Sequence, residues 1–302
     1  MERIRINKHV SYSRIVHGFW RLNEWGYNNQ QLNDFIHEIV DRGITTMDHA
    51  DIYGNYTCES LFGDALALTP NLREKIEIVT KCGIILPNDQ IAKNTGHRYD
   101  QSYDHIIESV DKSLLNLKTD YIDTLLIHRP SPLMDPDEMT RAVMHLVEQG
   151  KIKAFGVSNF KCNQYELLNE SLKKEMSHIS VNQVEVSPYQ LENIEDCTLN
   201  RMLQHDVKVM AWSPLAGGKL FDQTDEKARR IMAVIQLLAE KYNVSVSTVI
   251  YSWLLRLPSK VMPIVGSSKI ERVDEAVDAT KLQLTDQEWF DIYVASRGED
   301  IL

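Results

Sequence analysis

Thr45-Thr46-Met47-Asp48-His49-Ala50-Asp51-Ile52-Tyr53-Gly54 follows a short buried run after Gly43 and ends on a turn residue. It reads as a strand whose C-terminal end spills polar groups into a loop. Asp48 and Tyr53, five residues apart at such a place, are positioned to face one cavity. A phenol with a pKa near ~10 is a poor acid at neutral pH unless a nearby cation favours its anion. The remainder of the chain has to supply that cation and something for the acid to act on.

Working outward, short apolar runs recur at Ile15–Phe19, Ile44–Met47, Ile76–Thr80, Ile122–Ile127, Ala154–Val157, Ile179–Val184, Val207–Trp212 and Val261–Val265. Helical patterns separate them. Leu32, Phe35, Ile36, Ile39 and Val40 share one helix face and are stopped by Gly43; Tyr103, Ile106, Ile107, Val110, Leu114 and Leu117 form another, as do Ile231, Val234, Ile235 and Leu238. Eight such β–α repeats predict an α/β fold, a (β/α)8 TIM barrel. An open doubly wound sheet is disfavoured, because no G-x-G-x-x-G follows the first strand. Alternation around a polar turn near Asn7–His9 predicts an N-terminal β-hairpin, Arg3–Ile6 with Ser13–Val16, or one leading into the first core strand. No linker or charge block divides the chain, so residues 1–302 read as a single barrel domain. The long connections Cys82–Asp100 and Ser213–Gln223 are expected on the catalytic face.

The composition fits a globular enzyme: of 302 residues, 43% are hydrophobic and 25% charged, which excludes a disordered chain. A net charge of -10 argues against a nucleic-acid or anionic-membrane partner. Cys58, Cys82, Cys162 and Cys197 have no metal-like spacing and are expected as reduced, mostly buried thiols. The opening Met1-Glu2-Arg3-Ile4-Arg5-Ile6 lacks a signal-peptide core and no apolar run reaches spanning length, so a cytoplasmic location is expected.

Polar residues stand at the C-terminal ends of consecutive strands: Asp48 with Tyr53 in its loop, Lys81, and His128. A lysine at the end of an apolar strand is costly to bury without a carboxylate, and Asp48 on the neighbouring strand is the natural partner. The pair places a cation beside Tyr53 and makes it a better proton donor, while His128 orients a carbonyl oxygen towards it. Taken singly, each has an ordinary explanation: a rim ion pair, a core histidine, a rim aromatic. Convergence on three strands favours the chemical reading. A metal site built from Asp48, His49, Asp51 and His128 is weaker, since adjacent strand residues point to opposite sides, and no metal is expected.

The second half offers Ser158, Asn159 and Gln183 to bond an amide and Trp212 as a flat face for a planar ring. Gly266-Ser267-Ser268-Lys269 opens a helix carrying Arg272, and free N–H groups there with Ser, Lys and Arg suit a phosphate.

Met47 to Gly54, Thr80-Lys81, Leu126-Ile127-His128-Arg129-Pro130, Gly156-Val157-Ser158-Asn159-Phe160, Asn182-Gln183 and Trp212-Ser213-Pro214-Leu215, in this order, resemble the aldo-keto reductase superfamily over essentially the whole chain. Pro132-Leu133-Met134-Asp135 and the short tail are similar to its bacterial YdhF-like oxidoreductase branch. The resemblance implies a barrel binding NADP(H) and reducing small aldehydes or ketones. It implies a catalytic set of Asp48, Tyr53, Lys81 and His128, with Tyr53 the general acid. It also implies that Ser158, Asn159 and Gln183 hold the carboxamide and Trp212 stacks on the nicotinamide. Ser213 and Leu215 then line the pyrophosphate, and Ser267, Ser268 and Arg272 meet the 2′-phosphate, beside Gly266. Two positions depart from the pattern: Gly266 precedes the two serines where Pro-Lys-Ser is common, and Ala276 stands where an adenine-binding Asn is common. Two other functions are compatible with the residues: a cofactor-binding regulatory subunit, and a Schiff-base aldolase using Lys81. Trp20, Trp25, Arg129 and the Cys82–Asp100 loop are the expected specificity elements, and the short tail implies an open pocket.

Overall fold

The computed structural model describes residues 1–88, 91 and 95–301. Its barrel strands are β1 (Val16–Gly18), β2 (Thr46–Asp48), β3 (Glu77–Cys82), β4 (Ile122–Ile127), β5 (Ile152–Ser158), β6 (Val181–Glu185), β7 (Lys208–Trp212) and β8 (Met262–Val265). Each pairs in parallel with the next, and β8 pairs with β1, Ile264 opposite Val16, closing the sheet. The helices are α1 (Asn29–Asp41), α2 (Cys58–Leu66), α3 (Tyr103–Leu117), α4 (Pro136–Glu148), α5 (Cys162–Lys174), α6 (Glu192–Glu195), α7 (Thr198–Gln204), α8 (Glu226–Tyr242), α9 (Val246–Leu255), α10 (Ile270–Asp278) and α11 (Asp286–Arg297). The expected (β/α)8 TIM barrel is present. Among the described residues, no helix is long and apolar enough to cross a membrane.

The barrel interior is filled by Val16, Val79, Leu126, Ala154, Val181, Met210, Met262 and Ile264, which lie in one apolar cluster. Side chains alternate across a strand, so residues two apart share a face. The pleat that turns Val79, Leu126, Val181 and Met210 inwards therefore turns Lys81, His128, Gln183 and Trp212 towards the C-terminal mouth. Residues of the opposite parity, such as Ile78, Leu125 and Val209, pack under the helices. The α1 helix shows how the sequence sets this layer: Asn28 and Gln31 form a reciprocal cap at its start, Leu32, Phe35, Ile36 and Ile39 are buried, and Gly43 turns out of it with φ 83°.

The N-terminal hairpin pairs Arg3–Arg5 with Ser11–Ser13: its first arm is one residue shorter than expected, and its second arm starts two residues earlier than the expected Ser13–Val16 and shares only Ser13 with it, because Val16 belongs to β1. Ile4, Ile6, Val10 and Tyr12 join the interior cluster, and the Tyr12 hydroxyl donates to Thr124. The hairpin thus plugs one end of the barrel and leaves the mouth at the other. The base of the Cys82–Asp100 connection is a second small hairpin, Ile84–Ile85 with Arg98–Tyr99. The remainder of that expected specificity loop lies partly outside the described residues.

The cysteines correct an expectation. Cys58 and Cys82 are free and buried, but Cys162 and Cys197 form a disulfide. Cys162 begins α5 and Cys197 precedes α7, and adjacent β–α units bring their Cα atoms to 6.6 Å. That proximity is a product of the closed topology; a spacing of 35 residues carries no signal of it.

Candidate active site

Beyond Asp48 the chain keeps following β3: His49 N–H donates to the Val79 carbonyl at 2.8 Å and Asp51 N–H to the Lys81 carbonyl at 3.0 Å. The chain then turns, and Cys58 N–H reaches back to the Tyr53 carbonyl at 3.2 Å. Gly54 has φ 57°, and a Cβ there would meet the Cys58 sulfur at 2.5 Å, so the tight turn admits only glycine. This turn folds the Tyr53 ring back over the strand ends.

Lys81 is fully buried, and its Nζ donates to Asp48 Oδ1 at 2.8 Å and Oδ2 at 2.9 Å, to the His49 carbonyl at 2.8 Å and to the Tyr53 hydroxyl at 3.0 Å. Burial disfavours the ammonium, but its contacts with Asp48 and Tyr53 outweigh that and hold its pKa above the usual 10.5. Burial pushes the Asp48 carboxyl up, with Lys81 and Gln183 pulling it back. Its oxygens take donors from both sides, which is the environment of a carboxylate rather than of an acid. For Tyr53, burial is the largest influence and raises the phenol above 10.0, while Lys81 works to lower it. The cation acts in the expected direction; burial exceeds it, so the net shift is upward and not downward.

His128 follows β4 directly, with its ring 5.8 Å from that of Tyr53, tilted edge to face at 77°. Burial, then the Lys81 and Arg129 charges, hold its pKa well below 6.5, so the imidazole is neutral. Its Nδ1 has no hydrogen-bond partner among the described residues. His49, by contrast, points out of the barrel and stacks on Phe19 at 4.8 Å, away from the other members of the weaker metal grouping.

The second set also converges. Ser158 Oγ donates to the Gln183 carbonyl at 2.9 Å, Asn159 Nδ2 to Ser158 Oγ at 2.8 Å, and Trp212 Nε1 to Asn159 Oδ1 at 3.0 Å. Asn159 holds φ 62°, a left-handed conformation that aims its amide across the mouth. Gln183 Nε2 donates to Asp48 Oδ1 at 2.7 Å, joining this set to the first.

A model described as the Aldo/keto reductase family matches residues 14–295. The chain belongs to the aldo/keto reductase family. It is 48% identical over 302 residues to the uncharacterized oxidoreductase YcsN of Bacillus subtilis, covering all of both chains. It is 47% identical over 291 residues to oxidoreductase YdhF of Escherichia coli, covering 96% of this chain and 95% of that one, in agreement with the YdhF-like branch. It is also 38% identical over 302 residues to 6-dehydroglucose reductase of Agrobacterium fabrum, again covering all of both chains. The chain is therefore an oxidoreductase of the aldo-keto reductase type, a family working with a nicotinamide cofactor on small carbonyl compounds.

In this aldo-keto reductase the remaining expected residues lie along the same mouth. Ser213, with φ 49°, is half-buried, and Leu215 packs against both helix-layer clusters. Gly266 and Arg272 are exposed, and Ser267 and Ser268 are half-buried at the start of α10. The Ser267 carbonyl meets His17 Nε2 at 3.1 Å and the Ser268 carbonyl accepts from Tyr27 at 2.8 Å, which fixes the segment. Among the described residues no hydrogen bond or ion pair joins Arg272 to Asp48, Tyr53, Lys81 or His128. Ala276 is fully buried in the cluster shared with Phe35 and Ile36, so it is a packing residue. Of the specificity candidates, Trp20 is 58% exposed, whereas Trp25 is packed edge-on against His17, Tyr27 and Phe35.

A cleft of about 420 Å³ lies beside the start of α10, lined by Asp34, Glu38, Glu271 and Lys269 among others. It shares Ser268 and Lys269 with the expected phosphate segment but includes neither Tyr53 nor Arg272, so the chemistry is read from the strand ends and not from this cleft. Sequence reasoning missed Glu185 and Lys219: Glu185 ends β6, and burial raises its carboxyl while Arg129, already an expected specificity residue, and Lys219 pull it back. Their only sequence signal is position at a strand end or in a β–α loop.

Proposed function

We propose that the protein reduces aldehydes or ketones to alcohols with NADPH, using Tyr53 as general acid. The observation that carries this reading is the contact of the fully buried Lys81 with both Asp48 and the Tyr53 hydroxyl. A cation fixed on the phenol stabilises the tyrosinate left once its proton has gone to the carbonyl oxygen. His128, neutral and edge-on to Tyr53, donates to the same oxygen and sets its direction. Asp48 holds Lys81 charged and in place. The same arrangement argues against a Schiff-base aldolase, because an ammonium engaged with four acceptors has no free lone pair.

The residues fit a nicotinamide dinucleotide. Ser158, Asn159 and Gln183 form a linked polar patch beside the proton donor, and the half-buried Trp212 offers an indole at the mouth. At the other end, the first turn of α10 presents N–H groups with Ser267, Ser268 and exposed Lys269 and Arg272, which suits a 2′-phosphate and favours NADPH over NADH. Bound, the dihydronicotinamide supplies the hydride; the chain supplies the proton, the orientation and the dry surroundings of Lys81.

The mouth carries the charged Arg129, Glu185 and Lys219 with the exposed Trp20. Such a lining suits hydroxylated carbonyl compounds, and a relative named 6-dehydroglucose reductase supports that class. The test is a panel of aliphatic, aromatic and sugar-derived aldehydes and ketones assayed with NADPH and NADH. Turnover with at least one class, faster with NADPH, supports the reading. Tight cofactor binding with no turnover across the panel refutes it in favour of a regulatory subunit.

A further inference from the structure

Lys81 Nζ has three protons and four acceptors within 3.0 Å: both Asp48 oxygens, the His49 carbonyl and the Tyr53 hydroxyl. The Tyr53 contact, at 3.0 Å, is the longest of the four, and is the one that lapses if another acceptor demands a whole proton. Asp48 is only 3% exposed, so water does not make up a shortage. What relieves it is a donor from the opposite wall: Gln183 Nε2, on a side chain 2% exposed, bonds Asp48 Oδ1 at 2.7 Å. Gln183 is itself held by β6, whose carbonyl at this residue accepts from Ser158 Oγ and from Asn159 N–H, both at 2.9 Å.

We infer that Gln183 is a positioning residue for the proton donor as well as part of the carboxamide patch: by donating to Asp48 it frees a Lys81 proton for Tyr53. The chain of contacts runs Gln183–Asp48–Lys81–Tyr53, across three strand ends and the loop after β2, and rests on the assignment of Tyr53 as general acid. It gives the amide two separate uses. Its nitrogen serves Asp48, and its carbonyl oxygen remains an acceptor for a carboxamide N–H. A ligand contact alone requires only the second.

The two uses separate kinetically. With Gln183→Leu, Asp48 recruits a second Lys81 proton, Tyr53 loses its cation contact, and kcat at saturating cofactor falls on the order of 10- to 100-fold. A cofactor contact alone would raise the cofactor KM and leave kcat unchanged, and that result overturns the inference. Gln183→Glu provides a second readout should the leucine variant fail to fold. Its carboxyl, when protonated, donates to Asp48 as the amide does; when ionised, it repels Asp48. Single-turnover reduction at saturating cofactor is therefore expected to be fastest at acid pH. It should fall about tenfold or more as the new carboxyl ionises, a limb absent from wild type. A flat profile, with only the cofactor Kd changed, overturns the inference. Tyr53→Phe run alongside keeps the two questions apart: if it turns over like wild type the general-acid assignment fails, whereas a dead Tyr53→Phe with a flat Gln183→Glu profile removes the Gln183 role alone.

Discussion

Lys81→Met tests the burial of the site and its chemistry in one protein. Methionine has nearly the length of lysine and fills the same channel, so the change removes the charge and the three N–H donors while keeping most of the packing. Asp48, 3% exposed, is then left with Gln183 as its single remaining donor in the described structure. Breaking a buried pair on one side costs about 3–5 kcal/mol, because the surviving charge stays out of water. For a chain of this size that corresponds to a fall in Tm of roughly 5–8 °C. The pH dependence has a definite sign. Losing Lys81 removes the largest influence that lowers the Asp48 pKa and leaves burial, which raises it. A carboxyl whose folded pKa lies above its unfolded value favours the fold below the unfolded pKa, and that advantage is lost as pH rises through the folded one. The variant should thus approach wild-type stability in acid and diverge from it towards neutral pH. Differential scanning calorimetry across that range reads the effect, and steady-state reduction reads the accompanying loss of rate. Equal melting temperatures of variant and wild type at neutral pH would refute the reasoning, since they would mean that the pair is hydrated.

Other consequences are separately measurable. Arg272→Ala should weaken NADPH binding by about tenfold, at the low end for a charge-assisted contact because Arg272 is exposed, with NADH little changed; an unaltered affinity ratio, read by fluorescence titration, would place the phosphate elsewhere. Ala276→Asn should lower stability by about 1–3 kcal/mol instead of tightening cofactor binding, because the new amide would be buried in an apolar cluster; tighter cofactor binding at unchanged Tm would contradict the packing. The reduction rate should hold through neutral pH and decline only above pH 10.0, since protonated Tyr53 is the active form and burial raises its pKa; a decline centred well below that point would mean that the Lys81 charge outweighs burial at the phenol. Thiol titration of the unfolded, unreduced protein should find two free thiols, from Cys58 and Cys82, and four after reduction; four before reduction would show Cys162 and Cys197 unpaired.

The barrel was legible because strand periodicity and helix periodicity alternate eight times, and because closure leaves few other ways to bury both faces of the strands. The convergence of Asp48, Lys81 and His128 was legible for a related reason: each stands at the C-terminal end of its strand with a parity that faces the barrel interior. Tyr53 needed the turn at Gly54 as well, and that glycine is visible in the sequence. What could not be read is what depends on pairs brought together from distant strands. The Gln183–Asp48 bond spans 135 residues, and the Cys162–Cys197 link joins two loops that only the finished barrel makes neighbours. The direction of the Tyr53 shift was also hidden, because it depends on how much burial opposes one cation, and burial is a property of the fold. Ala276 is a similar case: counting along the motif marks it as a missing contact, whereas the helix phase buries it.

The most direct measurement is single-turnover reduction of a carbonyl substrate by wild type and Tyr53→Phe, each saturated with NADPH, with the cofactor Kd of both proteins determined independently. Removing a single general acid should slow the reduction step by about 10²–10⁴-fold, while the Kd stays within a few-fold because the Ser158, Asn159 and Gln183 patch is intact. A Tyr53→Phe enzyme that reduces the substrate at the wild-type rate would contradict the assignment of Tyr53 as the proton donor.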